Sequence, residues 1–410
     1  MEPKKSWFGK NGWDQQKAEK YAKDLAHEHG YHCDIIDGYM IYQFCPEGFV
    51  WMKWAEHRLV GDCQTNIAGP GFHAAVVHFL ELFAAHAELK LLVEDQTGYY
   101  EDRDFQKLRR EHFYPWFLEL MKMVLEKKDV AGEQLVCWPS NYYLPEEEEG
   151  MITTHIRRFS IREIYGVVHS GLSMIFAKDF FLWNEEEKDA YYYRNCALVM
   201  VNQECYFMPS TRSEEDRVIN EGILHMLEEA LEHDRRIPFP VREYRQICSL
   251  AEHEPVNLEG VSELGGEEIG CRKGLLFRTI GCMQFAVPGH YLYDARERGN
   301  TEHYYDGLKQ GGHDYYICAI RTTNAAEFQE TSFQRDNVER VLEFTSGDAV
   351  GKMAVYRPNA QKDKPYTISA QIIYKNQLTL ISVDYADAQE QECVMELVKN
   401  VRTIEPSEQK

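Results

Sequence analysis

Two stretches in the first quarter of the chain carry residue types that could do chemistry. In Thr65–His73, TNIAGPGFH, two glycines and a proline stand directly before an apolar run of helical period. Gly69 and Gly71 permit backbone conformations that side chains resist, and free N–H groups at a helix start attract anions. His73 could then donate or accept a proton beside Thr65 and Asn66. The second stretch, Glu94–Asp104 (EDQTGYYEDRD), follows the apolar run Leu89–Val93 and reads as the loop after a strand, a usual place for binding residues. Asp95, Tyr99, Asp102 and Arg103 offer carboxylates, a phenol and a guanidinium to a polar ligand or a cation. If both stretches faced one pocket, they would suit hydrolysis of a polar substrate, with His73 as acid or base and Asp95 or Asp102 orienting it. Each stretch also has a plainer reading. The first is then a helix entry loop whose glycines make the turn, and the second a solvated loop with Asp104 at a helix start, where acids are favoured.

Other clusters carry less. HEHGYHC places His27, His29, His32 and Cys33 near a helix end, but His27 and His29 fall on different helix faces and no second ligand group has matching spacing, so no metal is expected. Gly30 caps that helix in this reading. His169–Ser173 (HSGLS) is not a GxSxG elbow, and neither a P-loop nor a GxGxxG occurs, so no nucleotide or other cofactor is expected.

Positioning such residues takes more than one core. At 410 residues the chain exceeds what a single core supports, and its 44% hydrophobic content suffices to bury several. Asp and Glu number 67 against 45 Lys and Arg, a net charge of −22. That charge repels phosphate backbones and anionic lipid, so nucleic-acid and membrane partners are not expected, whereas encounter with a basic protein would be accelerated. The 11 cysteines lack any CxxC pair and suit buried thiols in a reducing compartment. With a polar N-terminus, MEPKKSWFGKNGWDQQ, and no long apolar run, a cytoplasmic location is the expectation.

The fold class reads as α+β: two N-terminal lobes within 1–253, about 1–145 and 151–253, split by the acidic turn PEEEEG at Pro145–Gly150. A Gly- and acid-rich linker at 254–274 follows, then a C-terminal domain at 275–410. Helical spacing appears at Gly71–Glu88 (Phe72, Val76, Phe79, Phe83) and after a capping sequence at Ser213–Asp216 (Ile219, Ile223, Leu227). Strand pairs at Phe49–Arg58 and Ala197–Met208 would give the two lobes a shared layout, as a duplication does. In the C-terminal domain the expected strands are Met283–Val287, Tyr315–Arg321, Met353–Arg357, Tyr366–Tyr374 and Leu378–Tyr385. An amphipathic helix bearing Val338, Val341 and Leu342 and a closing helix with Val394, Leu397, Val398 and Val401 complete it.

That element order, with MQFAVPGHYLYD at its opening and NQLTLISVDYADAQEQECVMELVKNVRTI at its close, resembles the PsbP-like fold over the last third of the chain. The resemblance implies an α/β/α sandwich with a mainly antiparallel sheet, and a binding or assembly module without catalysis. Together these features lead us to expect a cytoplasmic protein-interaction module, in its concrete version an immunity-type protein that neutralises a basic toxin or effector. The alternative is a hydrolase with an anion- or metal-assisted site in the N-terminal lobe.

Overall fold

Alternation in residues 32–62 builds a four-stranded antiparallel sheet, β1 His32–Ile36, β2 Tyr39–Cys45, β3 Gly48–Ala55 and β4 Arg58–Asp62, in sequential order. Met40, Tyr42, Val50, Met52 and Leu59 point inward from it. Helix α1 (Gln15–Glu28) contributes Ala22 and Leu25 to the same core, and α2 (Pro70–His86) contributes Phe72, Phe79 and Phe83. The computed structural model describes residues 2–3, 15–55, 58–126, 134–138, 143–145, 150–171, 173–265, 268–294, 301–307, 312–322 and 326–404. Most of the polar N-terminal stretch and residues 146–149 of the acidic turn lie outside the described residues.

The cores do not follow the two expected lobes. The cluster around Tyr42, Phe72 and Phe79 also takes in Leu198, Ile223, Leu227 and Tyr244. A second cluster joins Phe117 and Met121, on α3 (Tyr114–Glu126), to Ile152, Ile164 on α4 (Ile161–His169), and Phe180. Residues from both sides of the acidic turn therefore share each core, so the turn does not divide two separate lobes. Immediately before it, Tyr143–Pro145 leaves altogether and pairs with Leu276–Arg278 of the C-terminal unit.

The strand pair expected at Ala197–Met208 is helical as far as Glu204 and irregular beyond it: α5 (Ala190–Val199) runs on into a π-helical turn at Met200–Glu204. The cause is burial on every side, since Cys196 through Val199 are all nearly inaccessible. A run apolar all round has no period with which to separate helix from strand. The shared layout of the lobes, and with it the duplication, loses its basis. Helix α6 (Glu214–His233) starts as expected, with the Ser213 hydroxyl accepting from the Asp216 amide, and α7 (Val241–Ala251) packs beside it.

Residues 254–265 and 268–274 are tied down rather than free. Leu258, Val261, Leu264 and Ile269 pack against the N-terminal core. The Phe239 amide donates to the Ser262 carbonyl, and the Leu264 amide to the Phe239 carbonyl. Four apolar residues spread over the stretch are too sparse to read as periodicity, yet they suffice to strap it in place.

The C-terminal unit is a seven-stranded antiparallel sheet. Its order is Leu292–Asp294, Thr301–Tyr305, His313–Arg321, Gln377–Tyr385, Tyr366–Tyr374, Ala349–Tyr356, Val338–Ser346. A smaller sheet from Leu275–Ile280, Met283–Pro288, Val401–Thr403 and Tyr143–Pro145 covers one face together with α8 (Gln391–Lys399), which buries Val394, Met395 and Val398. Val401 belongs to a strand beyond that helix. The helix expected at Val338–Leu342 is an edge strand, turned back on its neighbour at Gly347, whose φ is 56°. Val338, Val341 and Leu342 satisfy helical spacing, but β-branched residues beside a tight turn favour a hairpin. Among the described residues the second helical layer of an α/β/α sandwich is therefore absent, and the sheet's other face is open and polar. The chain as a whole is α+β with mainly antiparallel sheets. No helix among the described residues is long and apolar enough to cross a membrane.

Candidate functional site

The GPG turn opens α2 because it lies against the segment Phe181–Glu185. Gly69 takes φ 107°, and added Cβ atoms at Gly69 and Gly71 would collide with Trp183 and its neighbours. The Trp183 amide donates to the Ala68 carbonyl at 2.8 Å, and the Gly71 amide donates to the Trp183 carbonyl at 2.9 Å. The His73 amide is bonded back to Gly69, and Pro70 has no N–H. The amides expected to hold an anion are thus largely engaged within the fold. Arg109 fixes the far side of the clamp through a two-pronged pair with Glu185 at 2.7 and 2.9 Å.

The two candidate stretches meet. His73 Nε2 lies 3.3 Å from Asp95 Oδ2 and 3.4 Å from Thr97 Oγ1, while its Nδ1 lies 3.1 Å from Thr65 Oγ1. Asp95 accepts from the Thr97 amide and hydroxyl, both at 2.8 Å, and from the Tyr100 amide at 2.9 Å. Burial opposes ionisation of Asp95, but these hydrogen bonds and the nearby imidazole outweigh it and hold the carboxyl below its usual range. Burial lowers the pKa of His73, with Asp95 opposing. Tyr99 and Phe113 close the pocket edge-on against the ring. His73 is 9% exposed and its ring nitrogens are already occupied, so the cluster orders the Asp95 loop against α2.

The remaining candidates stay outside that cluster. Asn66 is exposed in the turn. Asp102 pairs with Lys107 at 2.7 Å, and Arg103 stacks on Tyr100 and pairs with Glu81 at 2.5 Å. Thr97, the centre of the Asp95 turn, was legible in principle as a hydroxyl two residues after an aspartate. His169 and Ser170 turn back on their own helix, bonding the carbonyls of Tyr165 and Gly166, while Leu172 lies outside the described residues. In HEHGYHC, His27 lies in the last turn of α1, Gly30 takes φ 69°, and His32 pairs with Asp34 on β1. Among the described residues no group of three His, Cys, Asp or Glu side chains converges as a metal set.

Two titratable groups escaped notice in the sequence. Glu47, in the β2–β3 turn, is pushed up to about 7 by burial and by the Glu204 carboxylate. His155 is fully buried and packed edge-on against Phe180. Burial pushes its pKa down to about 3. Above about pH 6.5 the ring is neutral folded or unfolded. Below it the unfolded chain takes up a proton that the fold refuses, so stability falls as pH drops. At about pH 5 the loss should be about 2 kcal/mol. Urea titrations from about pH 7 to pH 5 should show this slope in the parent and a flatter one in His155→Leu. Parallel slopes would refute it.

No protein-family model and no curated protein matches this chain.

Proposed function

We propose that the chain is a cytoplasmic protein-interaction module that docks a basic protein on the outer face of its N-terminal sheet. One observation carries the reading: Ile36 at 54%, Tyr39 at 41%, Trp51 at 45% and Val60 at 54% exposure share one side of four adjacent strands. Large aromatic and aliphatic residues grouped on one face are unusual on a monomer's surface and match the composition of interface centres. Charges on the same face are balanced, Asp34 and Asp62 against Lys53 and Arg58, so attraction of a basic partner comes from the whole molecule's −22. The concrete version is an immunity-type inhibitor, in which steering speeds encounter and buried aromatics hold the complex. The PsbP-like resemblance agrees with a binding role.

Affinity purification should recover a basic protein, of isoelectric point above about 9, with the parent chain and lose it with Trp51→Lys/Val60→Lys. With that partner purified, association should slow as salt rises from about 50 to 500 mM. Trp51→Ala should speed dissociation by about thirtyfold, a hot-spot loss of about 2 kcal/mol. Both side chains are exposed, so the fold should change by less than about 0.5 kcal/mol. Identical proteins on both baits, or a dimer that the double variant dissolves, would overturn the reading.

A hydrolase remains the second reading, and the contact between His73 and Asp95 is the observation in its favour. Burial of both groups weighs against it. Loss of a measured turnover in His73→Gln with partner binding intact would establish it.

A further inference from the structure

The open face of the seven-stranded sheet holds a groove of about 450 Å³ that neither reading uses. That volume falls in the range of small-molecule sites. Its floor comes from three adjacent strands: Ser369 lies opposite Ser382 in register, Ser382 opposite Tyr316, and Gln371 stands on the same face. Two backbone-tied segments form the walls. On one side the Gln329 amide donates to Gln371 Oε1 at 2.7 Å, and Gln371 Nε2 returns a bond to the Gln329 carbonyl. Lys352 pins the same segment, pairing with Glu330 at 2.8 Å beneath the rings of Phe328 and Phe333. On the other side the Arg357 amide donates to the Asn337 carbonyl, and the loop beyond it closes through Asn359 and Pro365 at 2.8 Å.

The charge of this groove runs against that of the chain. Carboxylates outnumber cations 67 to 45 overall, yet none lines the groove, whereas Arg335, Arg357 and Lys362 all do. Among the described residues neither guanidinium has a carboxylate partner, and Lys362 reaches Asp384 only at 3.6 Å. A solvent-facing sheet surface accounts for the hydroxyls. It does not account for two arginines lining a concavity that no acid lines. Paired guanidinium forks fit a phosphate, whose charge of about −1.5 to −2 they balance. Beneath them, the hydroxyls of Ser369 and Ser382 offer the mixed donors and acceptors that a polyol needs, while Gln371 is taken up by Gln329.

We propose that this groove binds a phosphorylated sugar, the phosphate on Arg335 and Arg357 and the sugar hydroxyls on Ser369 and Ser382. The test is calorimetric titration of the full chain with glucose 6-phosphate, glucose 1-phosphate and ribose 5-phosphate, with glucose and inorganic phosphate as controls. At least one sugar phosphate should bind saturably and at least tenfold more tightly than either control. Arg335→Gln/Arg357→Gln should weaken that binding at least tenfold while leaving the melting temperature unchanged, since both side chains are exposed. Ser369→Ala/Ser382→Ala should weaken the sugar phosphate and leave inorganic phosphate as it was. The proposal is overturned if none of the three saturates, if inorganic phosphate binds as tightly as the best of them, or if the arginine double variant binds like the parent.

Discussion

Replacing Gly71 with alanine is expected to destabilise the N-terminal unit by about 3 kcal/mol or more, the upper end of what overpacking costs. The added Cβ would stand 2.0 Å from Trp183 Cδ1 and 2.2 Å from the Glu185 carbonyl oxygen. Neither neighbour can retreat easily, because the amides of Gly71 and Trp183 are bonded across the same contact and Arg109 holds Glu185. Relief requires moving the first turn of α2, which carries Phe72 into the core and His73 onto Asp95. Urea unfolding followed by tryptophan fluorescence should show the loss. Gly166→Ala is the internal comparison. Its Cβ would meet nothing within 4 Å, so removing a helix glycine there should stabilise by about 0.5–1 kcal/mol. A Gly71→Ala cost below about 1 kcal/mol would show that the Trp183 segment yields.

Gly71 also illustrates what a sequence reveals and what it withholds. Two glycines around a proline before a helix announce a tight entry, and that much was legible. The residue that makes Gly71 necessary, Trp183, comes from a distant segment and leaves no trace in local spacing. The same division holds elsewhere. Helix α2, the Ser213 start of α6 and the paired strands Tyr366–Tyr374 and Gln377–Tyr385 declare themselves by short periods. The segments at Ala197–Met208 and Val338–Leu342 did not, one because it is buried all round and the other because its spacing fits two elements. Asp95 and His73 were recognisable as reactive types, and their meeting at 3.3 Å is tertiary. The cationic groove was invisible for the same reason, since its floor and walls come from strands and loops that meet only when the sheet assembles.

Arg212→Ala is expected to cost about 3–5 kcal/mol, the range for breaking a buried ion pair from one side. Arg212 and Asp216 are 5% and 1% exposed and bonded twice, at 2.7 and 2.8 Å. The same guanidinium crosses to the C-terminal unit, donating to the carbonyls of His290 at 2.8 Å and Asp306 at 3.1 Å. Truncation therefore strands the Asp216 carboxylate, with Ser213 as its remaining donor, and removes two bonds between units. Two consequences follow from that geometry. Removing both charges, in Arg212→Ala/Asp216→Ala, should cost less than the sum of the single changes, because no unpaired charge is left buried. Weakening the crossing should also let the two units unfold in separate steps, with the strap at 254–265 becoming a site of proteolysis while a C-terminal fragment survives. The parent should resist cleavage there, since its strap is bonded to Phe239 and packed on the core. Additive single and double variants, or unfolding that stays in one step after Arg212 is removed, would show that the units are coupled mainly through the strand Tyr143–Pro145 and not through this arginine.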